Sequence, residues 1–232
     1  MKKLKILHLI TGSEGGGAER MLENIVNFSN HSHHHYIIVL KKGKKLNVKN
    51  LNQLNFSKNP IKLVSEFIRL CKIFTQIKPN IAISWLYHAD LVLFVLAKLL
   101  KFPINKIVWN IRCSFIDLND YSYFTRVVLF FLTKFSPKIR NVIFNSRAGF
   151  KYHKKIGYKN NYSTIIPNGF DINKFKFFQK QKKLLIKKLK LNPKHKIVAM
   201  FGRNDVTKNF KIFTNLAKDK SLNKNKSIKF LI

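Results

Sequence analysis

Lys5-Ile6-Leu7-His8-Leu9-Ile10 runs straight into Thr11-Gly12-Ser13-Glu14-Gly15-Gly16-Gly17-Ala18-Glu19-Arg20. A short apolar run that stops at glycines reads as a buried strand entering a loop. Ala18 to Phe28 then sets Met21, Leu22, Ile25 and Val26 at helical spacing, so the loop opens a helix. Three consecutive glycines let backbone N–H groups approach a ligand closely, at the positive end of the helix dipole. Gly15, Gly16 and Gly17 are therefore a candidate anion site with phosphate or pyrophosphate as guest, and a plain flexible loop is the competing reading. The spacing is neither the G-x-G-x-x-G dinucleotide fingerprint nor a GK[ST] P-loop.

The same alternation continues outward from this stretch. Apolar runs at Tyr36 to Leu40, Ile81 to Trp85, Lys106 to Ile111, Asn141 to Phe144 and Tyr162 to Ile166 read as strands. Between them, Pro60 to Ile77 (Leu63, Phe67, Leu70, Phe74, Ile77), Ala89 to Leu100, Tyr121 to Phe135 and Ser146 to Lys155 read as helices. Short buried strands alternating with helices predict an α/β fold, a Rossmann-like doubly wound parallel sheet. Asn168-Gly169 favours a tight turn, after which 171–195 is rich in Lys and Gln and reads as a linker. Lys196 to Phe201, a helix from about Asn209, and Ser227 to Ile232 begin a second α/β unit. The expected organisation is a first domain over 1–170, a linker, and an incomplete second domain over 196–232, which is too little chain to close a core.

The chain has 232 residues, 45 Lys+Arg against 10 Asp+Glu, and a net charge of +35. A hydrophobic content of 46% excludes a disordered basic tail. The charge points first to nucleic acid, but its make-up argues against a specific nucleic-acid partner. Lys outnumbers Arg 38 to 7, and Arg is the residue suited to forked contacts with phosphates and bases. Ile (26), Asn (24) and Phe (21) are raised alongside Lys, as A- and T-rich codons would raise them. Cys71 and Cys113 fit no ligand or disulfide framework. Leu4 to Ile10 is shorter than a signal-peptide core, so a cytoplasmic location is expected. Leu91 to Leu100 and Val127 to Leu132 are too short to span a bilayer. Tyr121, Tyr123, Phe124, Arg126, Phe130, Phe131, Lys134 and Phe135 mix aromatics with cations, as a helix lying on a membrane surface does; a core helix is the alternative.

Several residues could carry chemistry. Gly202-Arg203-Asn204-Asp205-Val206-Thr207-Lys208-Asn209 lies between a strand and a helix, where ligands of open α/β sheets bind, and Arg203 with Lys208 suits a diphosphate. His88 follows the Ile81 strand at the same edge and is a candidate for a sugar hydroxyl or for proton transfer. Arg112 follows the Lys106 strand in the same manner. His31, His33, His34 and His35 form a tract read either as a solvated loop or as a metal site. Neither a G-x-S-x-G elbow nor HExxH occurs, and ten acids make a glycosidase carboxylate pair hard to assemble.

Taken in order, these stretches resemble family-4 retaining glycosyltransferases of the GT-B fold. The resemblance rests on the opening Lys5 to Arg20 stretch, Trp85 to Asp90, Trp109-Asn110-Ile111-Arg112, Phe144-Asn145-Ser146, Ile166-Pro167-Asn168-Gly169-Phe170-Asp171, and Phe201-Gly202-Arg203 with Lys208-Asn209. It covers Lys3 to about Leu216. It implies two Rossmann-like domains, with a nucleotide-sugar donor mainly on the second and a saccharide acceptor, lipid-linked, on the first. Gly15, Gly16, Gly17, Arg203 and Lys208 would then face the donor phosphates. His88, Arg112 and Asn145 would lie on the sugar and acceptor side, and His88, Arg203 and Lys208 would carry the chemistry. Charge on the leaving diphosphate would be held by Arg203 and Lys208, with no metal or other cofactor. The implied setting is cell-envelope polysaccharide synthesis at the inner face of the plasma membrane. Two departures stand out: Cys113 occupies the position where relatives often carry His, and no glutamate follows Glu66, so the family's paired donor-site glutamates are absent. The expectation is a truncated enzyme or half of a split one, with little or no transfer by this chain alone.

Overall fold

The computed structural model describes residues 3–29, 31–114, 121–173, 175–202, 208–219 and 228–232. The chain divides into two compact units, Met1–Gly169 and Phe170–Ile232.

In the first unit the elements run β1 (Lys5–Gly12), α1 (Gly17–Ser29), β2 (His34–Lys41), β3 (Leu51–Gln53), α2 (Pro60–Ile77), β4 (Ile81–Trp85), α3 (Tyr87–Leu99), β5 (Ile107–Ile111), α4 (Tyr123–Phe135), β6 (Asn141–Phe144), α5 (Arg147–Lys155) and β7 (Tyr162–Ile165). The seven strands form one sheet in the order β3-β2-β1-β4-β5-β6-β7, and every pair is parallel. The α/β doubly wound reading is therefore the observed one. The order reverses between β1 and β4, where Ile10 is level with Trp85. In an open parallel sheet, the carboxyl ends at such a reversal form the ligand crevice.

Alternation along each strand divides the core between the two faces of the sheet. Leu7 and Leu9 of β1, Ile38 and Leu40 of β2 and Ala82 of β4 pack with Leu93 and Leu96 of α3 and with Leu70 and Phe74 of α2. Ile10, Ile37, Val39 and Trp85 point the other way, against Met21, Leu22 and Val26 of α1 and against Leu46. Both faces are covered, which is why the strands read as nearly continuous apolar runs.

The helices begin where short polar side chains can cap them. Asn59 Oδ1 accepts the Lys62 N–H at 3.1 Å with Pro60 at the first position of α2, and Ser146 Oγ accepts the Gly149 N–H at 3.0 Å at the start of α5. Ser122 caps α4, so that helix starts two residues after the expected Tyr121. Its Thr125, Val128, Leu129 and Leu132 are buried, while Tyr123, Phe124, Phe130 and Phe131 are exposed with Arg126 and Lys134. One side of α4 is thus core, and the other is an aromatic and cationic surface. In α2 the expected apolar stripe is buried only from Leu70 onward; Ile61, Leu63, Val64 and Ile68 remain exposed.

The second unit comprises α6 (Gln179–Lys188), β8 (Lys196–Ala199), α7 (Phe210–Lys218) and β9 (Ile228–Leu231). β8 and β9 pair in parallel around α7, with Phe213 and Phe230 in edge contact at 5.7 Å, and none of the described residues of this unit is buried. Two elements lie outside the sequence reading. β3 is an edge strand of three residues with one apolar side chain, and α6 occupies the stretch expected as linker. Lys, Gln and Leu favour a helix intrinsically, but α6 buries nothing, so no apolar periodicity marks it. Among the described residues, no helix is long and apolar enough to cross a membrane.

The two halves of α2 give a direct test. Leu70→Ala removes a fully buried side chain and is expected to cost about 2–5 kcal/mol in urea unfolding. Ile61→Ala, at 81% exposure in the same helix, should change stability by less than about 0.5 kcal/mol.

Candidate functional site

The loops at the carboxyl edge of the sheet carry six of the expected residues, Gly15, Gly16, Gly17, His88, Arg112 and Asn145, and several unassigned ones around the β1–β4 reversal. Gly15 has φ of +87°, a conformation that glycine adopts freely. A Cβ added at Gly16 would lie 2.7 Å from Oε2 of Glu19, whereas one at Gly17 would meet nothing within 4 Å. The buried Glu19 side chain thus folds back on the start of α1, and a carboxylate of the chain itself faces that helix end. Beside it, Thr11 Oγ1 accepts the Ala89 N–H at 3.2 Å, so the last turn of β1 caps α3. Leu86, which precedes α3, has φ of +74° and makes no side-chain cap. A non-glycine residue there is strained, and it is held by the buried Trp85 and Tyr87 on either side.

Arg112 is the centre of a second group. Its guanidinium stands over the Trp85 ring at 5.5 Å, donates to Asn110 Oδ1 at 3.4 Å and donates to Asn168 Oδ1. Partial burial draws its pKa below the usual value. Asn145 Nδ2 donates to the Arg112 carbonyl at 3.3 Å, which leaves Asn145 Oδ1 buried without a partner. Ser114 and Ser146 hydroxyls meet at 2.9 Å, and a Cβ added at Gly149 would lie 2.9 Å from the Cys113 carbonyl. Close approach at Gly149 therefore lets α5 seat against the loop after β5. The loops after β5, β6 and β7 gather Arg112, Asn145 and Asn168 around one cation on an indole face, with one carboxamide oxygen still free to accept from a hydroxyl.

His88, the second residue of α3, stacks on Phe124 of α4 at 5.5 Å and 23°. Its burial lowers the imidazole pKa, and the helix N-terminus likewise disfavours a cation there. It is a neutral imidazole, able to donate from one nitrogen and accept at the other. Behind it, Tyr87 Oη is 2.7 Å from His153 Nε2, and His153 Nδ1 is 2.7 Å from the Gly149 carbonyl. A carbonyl only accepts, so Nδ1 carries the proton and the tyrosine donates to Nε2.

Below the edge lies a buried carboxyl. Ser84 Oγ donates to Asp90 Oδ1 at 2.6 Å, while Asp90 Oδ2 has no partner. Burial pushes Asp90 up to about 8 from an ordinary 3.8, against the opposing pull of the Ser84 bond. On the other face of the sheet, Trp85 Nε1 donates to His8 Nδ1 at 3.2 Å, His8 Nε2 meets His35 Nδ1 at 3.0 Å, and His35 Nε2 meets Ser29 Oγ at 2.9 Å. Ser29 in turn donates to the Ile25 carbonyl. An indole N–H only donates, so each neutral histidine must pass a proton onward from Nε2. Burial lowers the pKa of both, that of His8 to about 3.

Neither group was assigned a role from the sequence. The signal was there in the polar residues His8, Ser84 and Asp90 inside otherwise apolar runs. His35 belongs to this chain of bonds, and among the described residues no cluster of metal-ligating side chains occurs. In the second unit Lys208 is exposed, with its Cγ 3.4 Å from a Cβ added at Gly202. Arg203 lies outside the described residues.

No protein-family model and no curated protein matches the chain. Solved structures do. Alr3699/HepE of Anabaena in complex with UDP-glucose has a TM-score of 0.77 at 18% identity, covering 98% of this chain and 60% of that one. The lipopolysaccharide outer core galactosyltransferase WaaB in its apo form has 0.61 at 11%, covering 98% and 67%. The UDP-GlcNAc 2-epimerase of Neisseria meningitidis, bound to UDP-GlcNAc, has 0.59 at 14%, covering 98% and 65%. At these identities the likeness is one of fold, the Rossmann-like architecture of GT-B proteins, and the chain spans 60% of the length of HepE.

The two buried titrating groups make opposite predictions. Folded Asp90 keeps its proton to about pH 8 but releases it near 3.8 when unfolded, so its contribution to stability falls as pH rises between those values. His8 stays neutral in the folded chain down to about pH 3 but is protonated below 6.5 when unfolded, so its contribution falls as pH drops through that window. Asp90→Asn should flatten the decline on the alkaline side and His8→Gln the decline on the acid side, as read by urea titrations over the whole range. A stability profile unchanged by both would refute the assignments.

Proposed function

We propose that the chain belongs to a family-4-like retaining glycosyltransferase that moves a hexosyl or N-acetylhexosaminyl group from a nucleotide sugar to a lipid-linked saccharide acceptor in cell-envelope synthesis. The observation that carries the reading is the Arg112, Asn145 and Asn168 group on the Trp85 face, at the carboxyl edge beside the β1–β4 reversal. Further support comes from the GT-B likeness, which includes proteins solved with UDP-glucose and UDP-GlcNAc.

In this reading, the bond from the sugar's anomeric carbon to the diphosphate oxygen breaks and a bond to the acceptor oxygen forms on the same face. The acceptor hydroxyl proton leaves with the diphosphate. Arg203 and Lys208 hold the charge that develops on the leaving group. Neutral His88 hydrogen-bonds the transferred sugar, and Asn145 Oδ1 accepts from an acceptor hydroxyl. The chemistry of this residue set calls on charge stabilisation by cations, with no cofactor. The exposed Tyr123, Phe124 and Phe130 of α4, with Arg126 and Lys134, suit the headgroup layer where a lipid-linked acceptor is found, at the inner face of the plasma membrane.

Isothermal titration with UDP-glucose tests the donor side. Arg203→Ala and Lys208→Ala should each weaken binding about tenfold, the loss expected for a charge-assisted phosphate contact. Arg112→Ala, on the acceptor side, should leave affinity within about twofold. Unchanged binding in both donor-side variants would sink the role given to those cations.

A further inference from the structure

The loop that leaves β2 reads Lys41-Lys42-Gly43-Lys44-Lys45, with four ammonium groups in five residues at the carboxyl edge of the sheet. It emerges one strand away from the β1–β4 reversal. The fold pins this loop. The Lys44 N–H donates to the Ser13 carbonyl at 2.9 Å, and Gln53 Nε2 donates to the Lys44 carbonyl at 3.4 Å. Leu46 is buried in the apolar layer that contains Trp85 and Leu22. Gly43 lies so near the glycine-rich loop that an added Cβ would be 2.9 Å from both the carbonyl oxygen and the hydroxyl of Ser13. The Lys44 stem runs along that loop, with its Cδ 4.0 Å from a Cβ added at Gly15.

All four lysines are exposed. Among the described residues the one ion pair they make is Lys41 with Glu14, at 3.5 Å. Beneath them Ser13 is fully buried, and its hydroxyl has no hydrogen-bond partner. A buried hydroxyl with nothing to bond is costly, and it is directed at the centre of the basic loop. Codon drift explains lysines on α6, which pack on nothing. It does not explain a lysine loop whose glycine is required by contact and whose backbone is tied to the glycine-rich turn.

We propose that this loop and the Ser13 hydroxyl bind a phosphate or diphosphate group carried by the acceptor. The proposal rests on the glycosyl-transfer reading only in giving the acceptor to this unit. Lys42, Lys44 and Lys45 supply compact point charges on both sides of Gly43, matching a group with two or more negative charges. Ser13 supplies one directed donor. A neutral acceptor would leave three ammonium groups repelling one another at the edge of the site.

The test is isothermal titration of the 232-residue chain with inorganic pyrophosphate, alongside sedimentation with phosphatidylcholine vesicles carrying dihexadecyl phosphate. Both use an Arg203→Ala/Lys208→Ala background, so that the donor-side cations do not contribute. Lys42→Gln/Lys44→Gln/Lys45→Gln should lose at least about tenfold in pyrophosphate affinity. The equally charged control Lys180→Gln/Lys182→Gln/Lys183→Gln on α6 should stay within about twofold, and Ser13→Ala should lose about threefold. Urea midpoints of the lysine variants should match the parent, since these side chains are exposed. Parallel loss of vesicle binding identifies a lipid-borne phosphate, and loss of pyrophosphate binding alone identifies a soluble one. Equal losses in the loop and α6 variants, or no saturable pyrophosphate binding by the parent, overturn the proposal. The UDP-glucose titration probes Arg203 and Lys208, so failure of either experiment is distinct from failure of the other.

Discussion

The parallel pairing of β1 with β2 on one side and β4 on the other is the constraint from which the edge of the molecule follows. β1 is buried on both faces, and its alternating side chains commit Leu7 and Leu9 to α2 and α3 and commit Ile10 to α1. Its carboxyl end then has three tasks within a few residues. Thr11 caps α3, Ser13 anchors the loop after β2, and Gly15 turns the chain into α1. A one-residue slip of β1 would exchange its two faces and would also detach all three. The site is therefore positioned by sheet register.

The interior accepts polar groups by keeping them neutral and aiming each proton. His8, His35 and His153 have depressed pKa values and Asp90 a raised one, and in every case burial is the leading cause. Charge in this molecule is consequently a surface property, carried by lysines on helices and loops. Among the described residues, two charged side chains depart from this: the buried Glu19 at the start of α1, and Arg112, half-buried and spread over an indole ring, a placement that suits a delocalised guanidinium better than an ammonium.

Much of the architecture was legible in the residues because a parallel sheet writes itself as apolar runs separated by helical periods. The runs around Leu7, Ile38, Ile83, Val108 and Val142 are all strands of the one sheet. The α6 helix was not legible, since a helix that buries nothing has no apolar stripe, and β3 was not, since three edge residues carry no pattern. At the site, Arg112 and Asn145 could be placed at strand ends from their spacing. Their union with Asn168 and Trp85 could not, because it depends on how far each loop folds over the edge. The Lys41–Lys45 loop was concealed for a different reason: in a chain with 38 lysines, four of them within five residues look like composition. Its contact with Ser13 is what separates it from the background.

The chain of bonds from Trp85 through His8 and His35 to Ser29 and the Ile25 carbonyl has a direction. Each link carries its hydrogen on the side away from Trp85, so the bond dipoles add head to tail across β4, β1 and β2 to α1. The negative tail of that row lies in the indole against which the Arg112 guanidinium stands, and the positive head meets a carbonyl in the last turns of α1. The row is a built-in field of fixed sign that favours a cation at the crevice. Reversing it would require the indole nitrogen to accept a hydrogen bond, which it cannot do, so Trp85 fixes the direction of the whole row.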